Sequence, residues 1–228
     1  MAVTVYKAEW GASRPIRGVL FDMDGLVLDS ERLYTRFWME ALRLKGYDAT
    51  LEQALQMRSL NRETGQAKLE ELFGEGISFT DVRSLRVKLM DAYIEEHGIQ
   101  PKPGITELLD HLKQKGIPCA ITSSSPMENI RRHLGANGLL DRFDKLCSGY
   151  EVPRGKPAPD IYLYGAEKLG LKAEECLALE DSPAGIESAW RAGCLAVMIP
   201  DQDQPGEKIL PMLYAKADSL ADVTELIG

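Results

Sequence analysis

The sequence contains no run near the ~18 consecutive apolar residues that a bilayer-spanning helix requires, which excludes a helical membrane span. Basic residues are in the minority, 27 Lys and Arg against 35 Asp and Glu. The resulting formal net charge of −8 excludes the broad basic face that nucleic acids and anionic membranes demand. Cysteine is scarce: Cys119, Cys147, Cys176 and Cys194 show no CxxC spacing and sit in or beside apolar runs, the pattern of reduced core thiols in a cytoplasmic protein. His97, His111 and His133 form no HExxH and no neighbouring ligand pair, so they are expected to be ordinary surface or helix residues. The opening MAVTVYKAEWGASRP lacks the roughly 7–15-residue apolar stretch of a secretory signal and reads as a short, frayed extension.

What is present suffices for a buried core. Of 228 residues 44% are apolar and 27% charged, with mean hydropathy −0.21, which excludes disorder and collagen-like structure. The length suits one larger domain or a main domain carrying an insertion. The acidity does not exclude a small anionic substrate, because a pocket answers to its own field and a bound divalent cation reverses that field.

Residues 17–22 (RGVLFD), 117–123 (IPCAITS), 144–148 (DKLCS), 175–180 (ECLALE) and 194–199 (CLAVMI) are strand candidates. Helical patterns at 104–115 and 183–192 alternate with the later ones, which predicts βαβ units and an α/β fold with a parallel sheet covered by helices on both faces. Between the first and second strands the chain is too long for one crossover. Residues 30–45 carry Leu33, Phe37, Met39, Ala41, Leu42 and Leu44 near helical spacing, Thr50 and Gln53 form a capping-box pair, and another helix runs over about 80–96. The expected organisation is a core of 1–29 and 99–228, with 1–15 as the extension, and an all-helical insertion over 30–98.

In an open parallel sheet ligands bind beyond the carboxyl ends of the strands, and four polar groups fall there. Asp22 and Asp24, two residues apart on a non-helical turn, can point into one crevice. There one can attack a phosphorus while the other handles the leaving oxygen's proton. Their mutual repulsion favours a cation between them or a proton on one. An EF-hand is excluded, since its sixth position would be Val27 rather than Gly. An exposed acidic turn is the alternative. Ser123 ends the second strand and Ser124 follows it, with Ser125 as expected N-cap, Pro126 at the first helical position and Glu128 completing a capping box. Such a helix N-terminus favours a phosphate, or is a cap and nothing more. Lys156, in Gly-Lys-Pro-Ala-Pro-Asp, is held by two prolines and can neutralise a phosphoryl group, or is a solvated surface lysine. The P-loop pattern is not met, because Gly149 and Gly155 are separated by five residues and Pro157 stands where Ser or Thr is needed. Glu180 and Asp181 end the fourth strand before Ser182-Pro183. Two adjacent acids there are costly unless paired or metal-bound, and with Asp22 they make the all-oxygen set Mg²⁺ prefers.

FDMDGLVLDSERLY, ITSSS, GKPAPDIYL and LEDSPAGIESAWRAG, in this order and spacing, resemble the haloacid dehalogenase (HAD) superfamily. The closer likeness is to its β-phosphoglucomutase-like phosphatases with a helical cap. The first segment and VMIPD also resemble pseudouridine-5′-phosphatase. The resemblance implies a Rossmann-like core with a cap insertion, and a Mg²⁺-dependent hydrolase of small phosphomonoesters. It implies Asp22 as nucleophile forming an aspartyl-phosphate and Asp24 as general acid, then base. Ser123, Ser124 and Lys156 would bind the phosphoryl group. Asp22, Asp24 through its carbonyl, Glu180 and Asp181 would hold the metal, and Arg62 and Arg58 in the cap would read the leaving group. The implied partner is a small phosphate ester, with no nucleic acid and no membrane, and the chain is expected to be a monomer.

Two rivals remain. In mutases of this family the cap supplies a histidine shortly after the first motif; here Tyr34 takes that place, which favours a phosphatase over a sugar-phosphate mutase. A catalytically silent binding protein is the other, and no core polar group is missing to support it.

Overall fold

Consecutive apolar residues become parallel strands only where both faces of the sheet are covered. The structure, a computed structural model, describes residues 2–57, 60, 62–201 and 203–227, with the main chain alone at 11–13 and 62. Seven strands form one sheet: β1 (Val3–Val5), β2 (Gly18–Phe21), β3 (Cys119–Ser123), β4 (Lys145–Ser148), β5 (Cys176–Glu180), β6 (Leu195–Met198) and β7 (Ala215–Ala217). Their order is β1-β7-β6-β5-β2-β3-β4, parallel throughout except for β1 against β7.

The α-helices among the described residues are α1 (Ala8–Ser13), α2 (Glu31–Leu44), α3 (Leu51–Leu55), α4 (Arg62–Phe73), α5 (Phe79–His97), α6 (Ile105–Lys115), α7 (Met127–Ala136), α8 (Asp160–Lys168) and α9 (Pro183–Ala192). Leu20, Ala120, Ala178 and Ala196 pack with Ile161 and Ala166 of α8 and with Ile186 and Ala189 of α9. Their neighbours in the strands (Val19, Phe21, Ile121, Leu177, Leu179 and Val197) are just as buried and point the other way, as strand alternation requires. All four cysteines are free and buried in this core.

The five expected strands are β2 to β6. The frayed extension is a correction, because Val3 and Val5 pair with Ala217 and Ala215 and close the sheet's edge. A three-residue strand is too short to show a period, and its partner lies at the far end of the chain.

Two compact units divide the chain, Met1–Asp29 with Gln100–Gly228, and Ser30–Ile99. The second is built from α2 to α5 around Trp38, Leu42, Phe79 and Val82, with the Trp38 and Phe79 rings stacked at 5.6 Å between centroids. Thr50 and Gln53 make the expected reciprocal caps at 3.2 and 2.9 Å. No helix among the described residues is long and apolar enough to cross a membrane.

Candidate active site

Strand β2 lies between β5 and β3, so the chain turns from one side of β2 to the other and opens a crevice at the carboxyl ends of these three strands. Asp22 directly follows β2, its N–H donating to the Leu179 carbonyl of β5 at 3.0 Å. Glu180 ends β5 and Asp181 follows it; all three acids are buried, Glu180 completely. One ligand atom from each of Asp22, Glu180 and Asp181 lies within 4.8 Å of the others, close enough to share a metal ion.

Lys156 reaches this cluster from the loop before α8. Its Nζ donates to Asp22 Oδ1 at 2.5 Å and to Glu180 Oε1 at 2.6 Å. Ser188 of α9 holds that loop by donating to the Ala158 carbonyl at 2.6 Å. The lysine is a buried, bridging cation rather than a surface group. Burial lowers its pKa, and the two carboxylates more than reverse this, so it stays protonated. The Asp22 carboxyl is pushed up to about 8: burial raises it most, Lys156 lowers it, and Glu180 and Asp24 raise it further. One lysine therefore does not balance the cluster's negative charge. The all-oxygen donor set fits a hard divalent cation.

Glu180 is held from several sides. Tyr162 Oη donates to its Oε1 at 2.5 Å and Ser182 Oγ to its Oε2 at 3.2 Å. Ser182 also caps α9 through the Gly185 N–H, and Gly193 ends that helix with φ of 90°, both as expected. A Cβ on Gly185 would lie 1.9 Å from Glu180 Cδ. Gly185→Ala is therefore expected to displace the buried carboxylate, to cost about 1–3 kcal/mol of stability and to reduce turnover at least ten-fold. Thermal melting and steady-state kinetics check this, and native kinetics in the variant would show that the Gly185 cradle is dispensable.

The Asp24 side chain turns toward the serines that end and follow β3. Its Oδ2 accepts from Ser125 Oγ at 2.8 Å and lies 3.4 Å from Ser123 Oγ, which in turn accepts the Ser125 N–H at 3.0 Å. The expected Ser125 cap is corrected here: α7 starts at Met127 with Pro126 in the cap position and no side-chain cap bond. A carboxylate is a stronger acceptor partner for the hydroxyl than a helix N–H is a donor. Ser123 is buried and Ser124 exposed. Arg58 lies outside the described residues, and so does the Arg62 side chain at the start of α4.

Sequence reasoning missed Tyr162, Ser125 as partner of Asp24, and Lys102. The Lys102 Nζ lies 3.2 Å from Asp29 and 2.8 Å from Asp201, the last residue of VMIPD. Only Tyr162 had a signal in the sequence, standing two residues after Asp160 in the same segment as Lys156.

A family model described as haloacid dehalogenase-like hydrolase matches residues 16–193. The chain belongs to this family. Among relatives of this haloacid dehalogenase-like hydrolase, hexitol phosphatase A of Escherichia coli strain K12 is 36% identical over 186 residues, 80% of this chain and 82% of that protein. A Drosophila melanogaster protein named probable pseudouridine-5′-phosphatase is 34% identical over 215 residues, 92% of each chain. The crystal structure of a HAD family hydrolase from Deinococcus radiodurans R1, with bound phosphate and sodium, is similar with a TM-score of 0.76 and 27% identity, covering 92% of this chain and 93% of that one. The mostly parallel sheet and the helical insertion after its first core strand suit a haloacid dehalogenase-like hydrolase, and both relatives are named as phosphatases.

Proposed function

We propose that the chain is a Mg²⁺-dependent phosphatase that hydrolyses a small phosphomonoester, a sugar phosphate or a nucleoside or pseudouridine phosphate, through an aspartyl-phosphate on Asp22. The observation that carries this reading is the meeting of Asp22, Glu180 and Asp181 with Lys156 at the end of β2. The names of the hexitol and pseudouridine-5′-phosphate phosphatases support the substrate classes.

Asp22, ionised, attacks phosphorus; the bond to the leaving oxygen breaks and Asp24 delivers its carboxyl proton to that oxygen. Asp24, now a carboxylate, takes a proton from water as the water oxygen attacks the same phosphorus. The bond from phosphorus to Asp22 breaks, releasing phosphate and restoring both residues. Ser125 and Ser123 orient the Asp24 carboxyl through the bonds at its Oδ2. Lys156 offsets the repulsion between Asp22 and the phosphoryl oxygens, and Ser123 and Ser124 complete the phosphoryl cradle. Asp22, Glu180, Asp181 and the Asp24 carbonyl would hold Mg²⁺, which when bound supplies positive charge to the phosphoryl oxygens and keeps Asp22 ionised near neutral pH. Discrimination among leaving groups is assigned to the helical insertion, with Arg62 and Arg58 as its candidate contacts.

A screen of sugar, nucleotide and pseudouridine phosphates with Mg²⁺ is expected to find one ester preferred at least ten-fold, about 1.4 kcal/mol of discrimination. Chelation should abolish turnover and added Mg²⁺ restore it. Hydrolysis that survives chelation contradicts the metal reading, and a hexose 1-phosphate isomerised faster than phosphate is released contradicts the phosphatase.

A further inference from the structure

Tyr162 lies in the first turn of α8, wholly buried, beneath the residues that carry the proposed chemistry. A buried phenol hydroxyl needs a polar partner, and this one is spent on Glu180 Oε1 at 2.5 Å. The same residue also touches the lysine, with Lys156 Nζ 5.2 Å from the centroid of its ring. Oε1 of Glu180 thus receives two donors, Lys156 and Tyr162, while Oε2 receives one longer bond from Ser182 Oγ. A carboxylate has capacity for about four such contacts, and the remaining capacity lies chiefly on Oε2.

We infer that Tyr162 is a positioning residue: its hydroxyl closes Glu180 Oε1 together with Lys156, so that Glu180 presents one oxygen, Oε2, to a divalent cation. This rests on the reading of the acidic cluster as a Mg²⁺ site. Gly185 and Tyr162 both pack closely on the carboxylate. Without the hydroxyl, Oε1 keeps Lys156 alone, and the carboxylate is free to turn both oxygens toward the ammonium. A turned Glu180 competes for Lys156 against Asp22 and withdraws a ligand from the cation. Outer partners that orient a metal ligand in this way are worth roughly ten- to a hundred-fold in metal affinity.

Tyr162→Phe keeps the ring and removes only the hydroxyl. Its Mg²⁺ dissociation constant, read by calorimetry without substrate, is expected to rise about ten-fold, while its melting temperature without metal stays within a few degrees of native. With the best ester, kcat should fall and KM change little. Tyr164→Phe, which removes a hydroxyl 3.3 Å from Glu151, serves as control and binds Mg²⁺ as the native protein does. In a Glu180→Gln background, Tyr162→Phe should add no further loss, because its effect passes through Glu180. A folded Tyr162→Phe protein with Mg²⁺ affinity within two-fold of native, or an additive loss in the Gln background, overturns the inference alone. A native protein that binds no Mg²⁺ overturns the reading of the site and the inference with it.

Discussion

Asp22→Asn is expected to reduce turnover by about 10³–10⁶-fold, the scale on which loss of a covalent nucleophile is felt. An amide at this position still fits the space and still accepts from Lys156, but it cannot form the acyl phosphate. Stability should not fall with activity. Burial above all, with Glu180 and Asp24 beside it, already favours the neutral form of Asp22, and the amide is neutral at every pH. Lys156 keeps Glu180 as its partner at 2.6 Å. Melting in the presence of chelator should therefore place the variant at or above native, while phosphate release disappears. Activity above about one per cent of native would move the nucleophile elsewhere.

Lys156→Met is expected to have the largest effect on the fold. The lysine side chain is 9% exposed and bridges Asp22, at 10%, to Glu180, at 0%. Removing it leaves the buried Glu180 carboxylate without its cation and takes from Asp22 the one group that favours its ionised form, and breaking a buried pair from one side costs about 3–5 kcal/mol. Urea denaturation with chelator measures this loss, and Mg²⁺ should recover part of it by replacing some of the missing positive charge. Turnover should fall about 10²–10³-fold even where the protein is folded, because the phosphoryl group loses a preorganised cation. Adding Glu180→Gln to Lys156→Met should restore stability relative to the single variant, since one uncompensated charge is then gone. A single variant as stable as native in chelator would show that solvent or another cation already neutralises the pair.

Much of the site was legible because each proposed residue stands next to a strong local signal. Asp22 and Glu180 end apolar strands, Asp181 precedes a Ser-Pro helix start, and Lys156 sits between a glycine and a proline. A parallel sheet brings such ends to one edge, so their order along the chain is enough to nominate them. Ser125 shows the limit of the same reasoning. A serine before Pro126 is a good cap by local rules, yet Asp24, a hundred residues earlier in the chain, offers its hydroxyl a charged acceptor at 2.8 Å. Tyr162, Lys102 and the pairing of β1 with β7 escaped for the same reason, since each partner lies in a distant segment. The hydroxyl of Tyr162 reads in sequence as one more half-polar residue of a helix, and only its burial against Glu180 gives it a role.

What the sequence lacks and what it holds by themselves determined the class of molecule: no apolar run for a membrane helix, no basic face, five strand-forming runs, a helical insertion after the first of these, and acids and one lysine at the strand ends. These are decided by composition and by short-range periodicity, which the chain carries whatever its neighbours do. The tertiary structure alone decided which charges meet: that Lys156 bridges Asp22 and Glu180, that Asp24 turns toward Ser123 and Ser125, and that Tyr162 closes one oxygen of Glu180. The net charge of −8 says nothing of this. The energy of a buried charge depends on the distance to its partner and on the water excluded around both, and those are properties of the folded chain.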